Sequence, residues 1–287
     1  MTEQEYEFDD SGIGRWTEEV TFEVTRERIA EYAAATNDPI PAHRNGDIAP
    51  PVFNVVPVFE SMMEPALEVL PIAAIPRIVH GEQDFHFGRA VRPGEQLITR
   101  AKATGYAGLD NGTAAAIVVE ARAADGALVN TQYVTCFVRG INAGKTIGEL
   151  APTHKFDESL RAQAPVAKVS QHVDDDQTFR YTGPSGDPNP IHLDAELAKE
   201  LGLPGIINHG LCTMAFTSWA LLSEVADSDV TRLRRFAVRF AKPVLPGQDL
   251  ETTIWRRGSH DGATTYQFET TAGDEVVVKD GLAVVSD

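Results

Sequence analysis

Four residues whose side chains can do acid–base chemistry or shape a tight loop fall within eight positions. Residues 181–192 read YTGPSGDPNPIH, in which Asp187, Asn189 and His192 follow Gly186 and are separated by Pro188 and Pro190. Prolines 188 and 190 exclude a continuous helix and restrict the residues before them, while glycine permits a turn that other residues resist. The pattern predicts a stiff loop whose carboxylate and imidazole divide general-base and general-acid work. Asn189 offers a donor and an acceptor to hold a water molecule. The competing interpretation is a capped turn without chemistry.

A second chemical feature begins at His209 and Gly210. The segment Leu211 to Val225 is apolar on nearly all sides and predicts a buried helix. The first N–H groups of a helix have no partner within it and lie at the positive end of its dipole. We therefore expect Gly210 N–H to stabilise a developing enolate oxygen. A packed, hydrogen-bonded histidine is an equally supported interpretation of His209.

The chain of 287 residues contains an internal repeat. Residues 32–43 (YAAATNDPIPAH) match residues 181–192 at an offset of 149, and residues 87–97 (FGRAVRPGEQL) match residues 240–250 (FAKPVLPGQDL) at an offset of 153. Two matches in the same order, separated by a four-residue difference, indicate duplication of a unit of about half the chain.

Each half is predicted to contain helices followed by an antiparallel meander. Residues 25–35 predict an amphipathic helix with Thr25 as its N-cap, and residues 52–70 occupy the place of the buried helix in the first half. Alternating segments bounded by glycine and proline predict strands at 96–103, 114–122, 132–138, 236–240, 250–255, 264–270 and 275–285. The expected division is an N-terminal domain over 1–140, a linker over 141–160 and a C-terminal domain over 161–287.

These segments resemble a known family. Residues 181–192 are similar to the hydratase-2 signature of MaoC-like dehydratases, and residues 202–214 (GLPGIINHGLCTM) resemble that family's second segment. The resemblance implies an α+β double hot-dog fold, in which each antiparallel sheet wraps a central helix. It also implies reversible hydration of trans-2-enoyl-CoA to (R)-3-hydroxyacyl-CoA by Asp187 and His192. Pro184 and Asn208 depart from the family pattern and leave acyl-chain preference open.

A mechanism follows as a hypothesis. Asp187 deprotonates a water molecule held with Asn189 and His192, the water adds to C3, and His192 delivers a proton to C2 while Gly210 N–H holds the enolate. Which of the two residues is the base stays open. Ser185 and His209 are expected to contact the substrate, and the chemistry requires neither a metal nor an organic cofactor.

The first half is expected to be inactive although Asp38 and His43 survive there. Ile40 stands in the place of Asn189, and Pro57 stands opposite Gly210. Proline has no N–H, so it cannot donate to an oxyanion. Asp38 and His43 are then a relic, a structural pair or part of a substrate tunnel.

Basic residues are concentrated after position 231. Thr231 to Pro246 contains no acidic residue, and its cations are Arg232, Arg234, Arg235, Arg239 and Lys242. Arginine suits phosphate, so this run predicts a clamp for coenzyme A or for an acidic acyl-carrier protein. A charged strand edge that resists aggregation is the alternative.

The amino-acid composition limits the classes of partner and the compartment expected for this protein. The formal net charge of −17 disfavours binding to nucleic acid, and no apolar segment approaches the length of a membrane span. Two cysteines without a CxxC spacing fit a reducing cytoplasm. Residues 1–10 are acidic and do not resemble a secretory signal. A homodimer is left open.

The leading hypothesis is therefore an enoyl-thioester hydratase. The alternatives are a dehydratase of a branched dicarboxylic or polyketide thioester, a non-catalytic acyl-binding subunit, and a thioesterase.

Overall fold

The computed structural model describes residues 6–287; residues 1–5, part of the expected N-terminal domain and of the segment judged unlike a signal, lie outside the described residues. The main helices are α1 (Arg26–Ala35), α2 (Phe59–Val69), α3 (Gln177–Ser185) and α4 (Gly210–Val225). Shorter helices are Pro41–Arg44 and Ala195–Glu200, and 3-10 turns include Pro51–Val58 and Pro190–His192. The strands are β1 (Val20–Glu23), β2 (Ile78–Phe87), β3 (Gln96–Leu109), β4 (Gly112–Ala123), β5 (Leu128–Arg139), β6 (Thr146–Gly148), β7 (Ala167–His172), β8 (Leu233–Phe240), β9 (Asp249–His260), β10 (Ala263–Ala272) and β11 (Glu275–Ser286).

The strands form one antiparallel sheet with a symmetric order. Ten strands follow the order β1-β3-β4-β5-β2-β8-β11-β10-β9-β7, and β6 pairs with β3. Each first-half strand on this path has its counterpart at the mirrored place in the second half, whereas β6 has none among the described residues. The sheet therefore confirms the double hot-dog architecture expected from the repeat.

The two halves join where β2 pairs with β8. Asp84 lies opposite Ala237, and Phe85 lies opposite Phe236. The 153-residue offset carries position 84 onto position 237, so the local twofold axis of the duplication passes through this pair. Main-chain hydrogen bonds thus continue from one half into the other across the axis.

The inner face of the sheet packs on α2 and α4. Helix α4 is buried along most of its length, as its apolar sequence predicts, and packs with Phe216 and Met214 in the main core. Helix α1 begins after the N-cap Thr25, whose hydroxyl accepts a hydrogen bond from Arg28 N–H, as expected.

The helix of the first half differs from its expected form. Residues Pro51–Val58 form a 3-10 segment, and the α-helix begins only at Phe59. In one continuous α-helix from residue 51 the Pro57 N–H would have to bond Phe53 O, and proline has no N–H, so the α-helix begins only after this residue. Within residues 6–287, no helix is both long and apolar enough to cross a membrane.

Candidate active site

The loop that carries Asp187 begins where α3 ends. Gly186 caps α3 in the left-handed conformation, with φ 78°, and its N–H donates to Thr182 O. A residue with a Cβ resists this conformation, so the glycine allows the chain to leave the helix sharply. Pro190–His192 then forms a 3-10 turn, in agreement with the stiff loop that the prolines predict.

Hydrogen bonds within the loop fix its shape. Asp187 N–H donates to Ser185 Oγ at 3.2 Å, Asn189 N–H donates to Asp187 Oδ1 at 3.1 Å, and Ile191 N–H donates to Asn189 Oδ1 at 3.3 Å. Ser185 is buried, so its hydroxyl supports the loop. Asn189 is exposed and uses its side-chain oxygen as a cap, which leaves its amide N–H₂ toward solvent.

His192 is held in one tautomer. Its Nδ1–H donates to Ile207 O at 2.8 Å, and its ring stacks on the His209 ring with 3.8 Å between centroids and 26° between planes. Because a carbonyl only accepts, Nδ1 carries the proton and Nε2 carries a lone pair in the neutral ring. His209 Nε2–H donates in turn to Asp187 O at 3.2 Å. One atom each of Asp187, His192 and His209 lie within 4.8 Å of one another.

Burial governs the charge of both imidazoles. It lowers the pKa of His192, against opposing contributions from the hydrogen bond to Ile207 O and the charge of Asp187. Burial, followed by the charge of His192, lowers the pKa of His209 to about 3. Both rings are therefore neutral near pH 7, and His192 Nε2 is available to take a proton.

The same three residues do not favour a metal site. Among residues 6–287, the ring nitrogens of these two histidines that have no hydrogen-bond partner are His192 Nε2 and His209 Nδ1. Lone pairs of imidazoles lie in the ring planes, and these planes are stacked nearly parallel, so the lone pairs run side by side instead of converging on one ion.

Gly210 is the first residue of α4, and its N–H has no hydrogen-bond partner among residues 6–287. A Cβ built on Gly210 would meet the Phe240 ring at 3.4 Å, which is ordinary van der Waals contact. Packing therefore does not demand glycine at this position. The missing side chain leaves the N–H open to a ligand at the positive end of the helix.

Two tyrosines link the site to the first half. The Tyr181 ring lies 4.9 Å from the His209 ring, and its hydroxyl lies 3.2 Å from the Tyr32 hydroxyl. Burial raises the pKa of both tyrosines, so each stays neutral. Tyr181 was not predicted as a site residue, although its recurrence as Tyr32 in the repeat pointed to it.

The Asp–His pair of the first half is sealed from solvent. His43 Nδ1 lies 2.7 Å from Asp38 Oδ2, and both side chains are fully buried. Asp38 Oδ1 also accepts the Ile40 N–H. Of the three interpretations of this pair, its contacts support a structural pair. Pro57 lies within the 3-10 segment, where it offers no N–H.

The basic run on and beside β8 is largely engaged by acids. Asp84 is buried and accepts two hydrogen bonds from Arg235, at 3.0 and 2.7 Å. Burial raises the pKa of Asp84, but hydrogen bonds from His86 and Arg235 outweigh it, so this pKa lies below its ordinary value. The remaining pairs are Arg232 with Asp227, Arg239 with Glu82 and Asp280, and Lys242 with Glu275. Of the run's five cations, only Arg234 has no carboxylate partner in the described part of the chain. A phosphate clamp at this run stays a prediction that requires these pairs to open.

Family models match both halves of the chain. Residues 158–278 match the MaoC like domain, and residues 11–132 match the FAS1-like, dehydratase domain region. The second half therefore contains a MaoC-like dehydratase domain, and the first half resembles a FAS1-like dehydratase region.

Sequence relatives match much of the length of this chain. It is 29% identical over 211 residues to a probable enoyl-CoA hydratase 2 of Dictyostelium discoideum, covering 72% of this chain and 70% of the relative. It is 28% identical to 3-hydroxyacyl-thioester dehydratase Y of Mycobacterium tuberculosis, covering 95% of this chain and 97% of the relative. The chain spans only 30% of the mouse peroxisomal multifunctional enzyme type 2, to which it is 33% identical.

A solved structure has the same fold. A MaoC-like dehydratase from Phytophthora capsici superposes with a TM-score of 0.82 at 24% identity, covering 96% of this chain and 97% of the other. At this identity the likeness supports the fold alone.

Proposed function

We propose that this MaoC-like protein catalyses reversible hydration of a trans-2-enoyl thioester to the (R)-3-hydroxyacyl thioester. The observation that carries the proposal is a neutral His192 with a free Nε2, set beside Asp187 and stacked on His209. The next residue, Gly210, has an N–H without a hydrogen-bond partner among residues 6–287. Relatives named enoyl-CoA hydratase 2 and 3-hydroxyacyl-thioester dehydratase describe the two directions of this reaction.

The first step uses the spacing between the carboxylate and the imidazole. A separation within 4.8 Å accommodates one water molecule bonded to both. His192 Nε2 removes one proton from this water, and the Asp187 carboxylate accepts a hydrogen bond from its other hydrogen. The oxygen adds to C3, and Asp187 stabilises the imidazolium that forms.

The second step returns the proton. Addition at C3 places negative charge on the thioester oxygen, where Gly210 N–H and the start of α4 stabilise the enolate. The His192 imidazolium then protonates C2. The water has supplied both the hydroxyl and the hydrogen, and His192 ends neutral; dehydration runs the same steps in reverse.

This scheme assigns the base to His192, a choice that the sequence left open. The hydrogen bond from Nδ1–H to Ile207 O and the pKa lowered by burial support it. In this scheme Ser185, Asn189 and His209 hold the loop and the ring in place.

We also propose the acyl carrier, the roles of the two halves, the cellular location and the oligomeric state. The substrate is carried by coenzyme A or an acyl-carrier protein, the second half is the catalytic domain and the first half its support. We propose a cytoplasmic location, which cell fractionation tests, and a homodimer, which the molar mass from light scattering tests.

The reaction is tested by the loss of enoyl-thioester absorbance with crotonyl-CoA and a longer enoyl-CoA. We expect activity in the wild type and in Asp38→Asn, loss of at least about 100-fold in Asp187→Asn, and an (R)-3-hydroxy product. Asp38→Asn is the matched control because it makes the same change at the repeated position. Equal loss in both variants would contradict the assignment of the site to the second half. Release of free thiol without hydration would instead indicate a thioesterase, and a substrate range limited to branched or carrier-bound thioesters would indicate the specialised dehydratase.

A further inference from the structure

Helices α1 and α3 exchange equivalent hydrogen bonds across the twofold axis. Arg28 Nε of α1 donates to Pro184 O at the end of α3, at 2.8 Å. Gln177 Nε2 of α3 donates to Ala35 O at the end of α1. The 149-residue offset carries position 28 onto 177 and position 35 onto 184, so each half supports the same carbonyl of the other.

The two carbonyls that accept these hydrogen bonds precede different segments of the chain. Ala35 precedes the buried pair of Asp38 and His43, whereas Pro184 lies two residues before Gly186 and three before Asp187. The terminal nitrogen Nη2 of Arg28 lies 3.7 Å from the Cβ position built on Gly186. Arg28 therefore contacts the turn from which the catalytic loop departs.

The end of α3 needs this support. The last carbonyls of a helix have no partner within it, and a basic side chain can satisfy them. Pro184 lies inside α3 and lacks the N–H that would bond the preceding turn, which weakens the last turn further. An unsupported last turn would leave the position of Gly186, and hence of Asp187, less defined.

We propose that Arg28, supplied by the first half, is a positioning residue for the reaction. Its Nε–H holds Pro184 O so that Gly186 turns and Asp187 stays in place beside His192. The inference rests on the proposed function, and it gives the first half a role in catalysis although its own Asp–His pair is closed.

The test compares Arg28→Met with Arg28→Gln. Both variants remove the charge and keep a side chain of similar length, but only glutamine retains a donor. Glutamine also carries its nitrogen on Cδ, as arginine carries Nε, and Gln177 shows that it reaches this kind of carbonyl. Arg26→Met is the control on α1, because Arg26 bonds Asn45 O and Asp47 within the first half.

We expect Arg28→Met to lower kcat by about 10- to 100-fold, the cost of misplacing a catalytic group. Arg28→Gln and Arg26→Met are expected to stay within about threefold of wild type, and thermal unfolding checks that all three variants fold. Wild-type activity in Arg28→Met would overturn the inference, and so would equal loss in Arg28→Gln.

An activity-independent measurement separates this inference from the proposed function. Amide NMR signals of Gly186 and Asp187 are expected to shift in Arg28→Met and to stay near their wild-type positions in Arg28→Gln. If the wild type hydrates no enoyl thioester, the proposed function fails, while these shifts still decide whether Arg28 holds the loop.

Discussion

Replacing Gly210 with proline removes the proposed oxyanion donor and little else. His209 has φ −58° and ψ 133°, a conformation that a following proline requires. Proline is favoured in the first turn of a helix, and in the described part of the chain the Gly210 N–H has no hydrogen bond to lose. The first half carries Pro57 at the equivalent position, so the fold already accommodates this ring. We expect the free energy of unfolding to change by less than about 1 kcal/mol.

The effect on activity is expected to be large. Removing one oxyanion donor costs roughly 100- to 1000-fold in kcat, or about 3–4 kcal/mol in the transition state. Gly210→Ala is the matched control, since it adds a Cβ near Phe240 but keeps the N–H; a loss of about tenfold is expected from the added methyl group. Both are measured by hydration of crotonyl-CoA, with thermal unfolding alongside. If Gly210→Pro stays within a fewfold of Gly210→Ala, the N–H does not stabilise the enolate.

Three further predictions concern charge and burial. Because burial lowers the pKa of His192 and the neutral ring is the base, kcat/KM should fall on the acid side with a midpoint below 6.5; a fall as pH rises through that range would show that the protonated ring is needed. Asp38→Ala should lower the free energy of unfolding by about 3 kcal/mol in urea denaturation, because it leaves the buried His43 without its hydrogen-bond partner. An unchanged free energy would show that Asp38 and His43 do not act as a structural pair. Arg235→Met should cost a similar amount, because the buried Asp84 then keeps only His86 as a side-chain partner. The double variant with Asp84→Leu should recover most of this loss, and additive losses would contradict the pairing of Arg235 with Asp84.

Protonation of His192 is expected to lower the free energy of unfolding as well as kcat/KM. Its folded pKa lies below the ordinary value of 6.5, so the unfolded chain binds more protons as pH falls from 6.5. Stability should therefore decrease as the pH is lowered through this range, and return as it rises.

The loop of residues 186–192 and the buried helix were predictable because local chemistry determines them. Prolines 188 and 190 and Gly186 dictate a loop in almost any context, and the all-apolar face of residues 211–225 dictates burial. The repeat then placed two such units together, which anticipates the symmetric sheet.

Other features depend on partners that the sequence does not bring together. Strands β1 and β7 were not predicted, since they have only four and six residues and most of their side chains are exposed or half-buried, so their alternation is too short to mark a strand. The basic run indicated a phosphate clamp because its residues stand far from any acid in sequence. Asp84 meets Arg235 only through the pairing of β2 with β8.

The two Asp–His pairs show why nearly equal motifs can differ in chemistry. In the first half, His43 directs Nδ1 at Asp38, so each group occupies the other and both are sealed from solvent. In the second half, His192 directs Nδ1 at the Ile207 carbonyl, which leaves its Nε2 and the Asp187 carboxylate free to share a water molecule. In the second half the Ile207 carbonyl, which is uncharged, orients the histidine in place of a carboxylate. The Asp187 carboxylate is therefore not used up in orienting the ring. Activity in this fold is thus expected to depend on which group orients the histidine as much as on whether the histidine and aspartate are present.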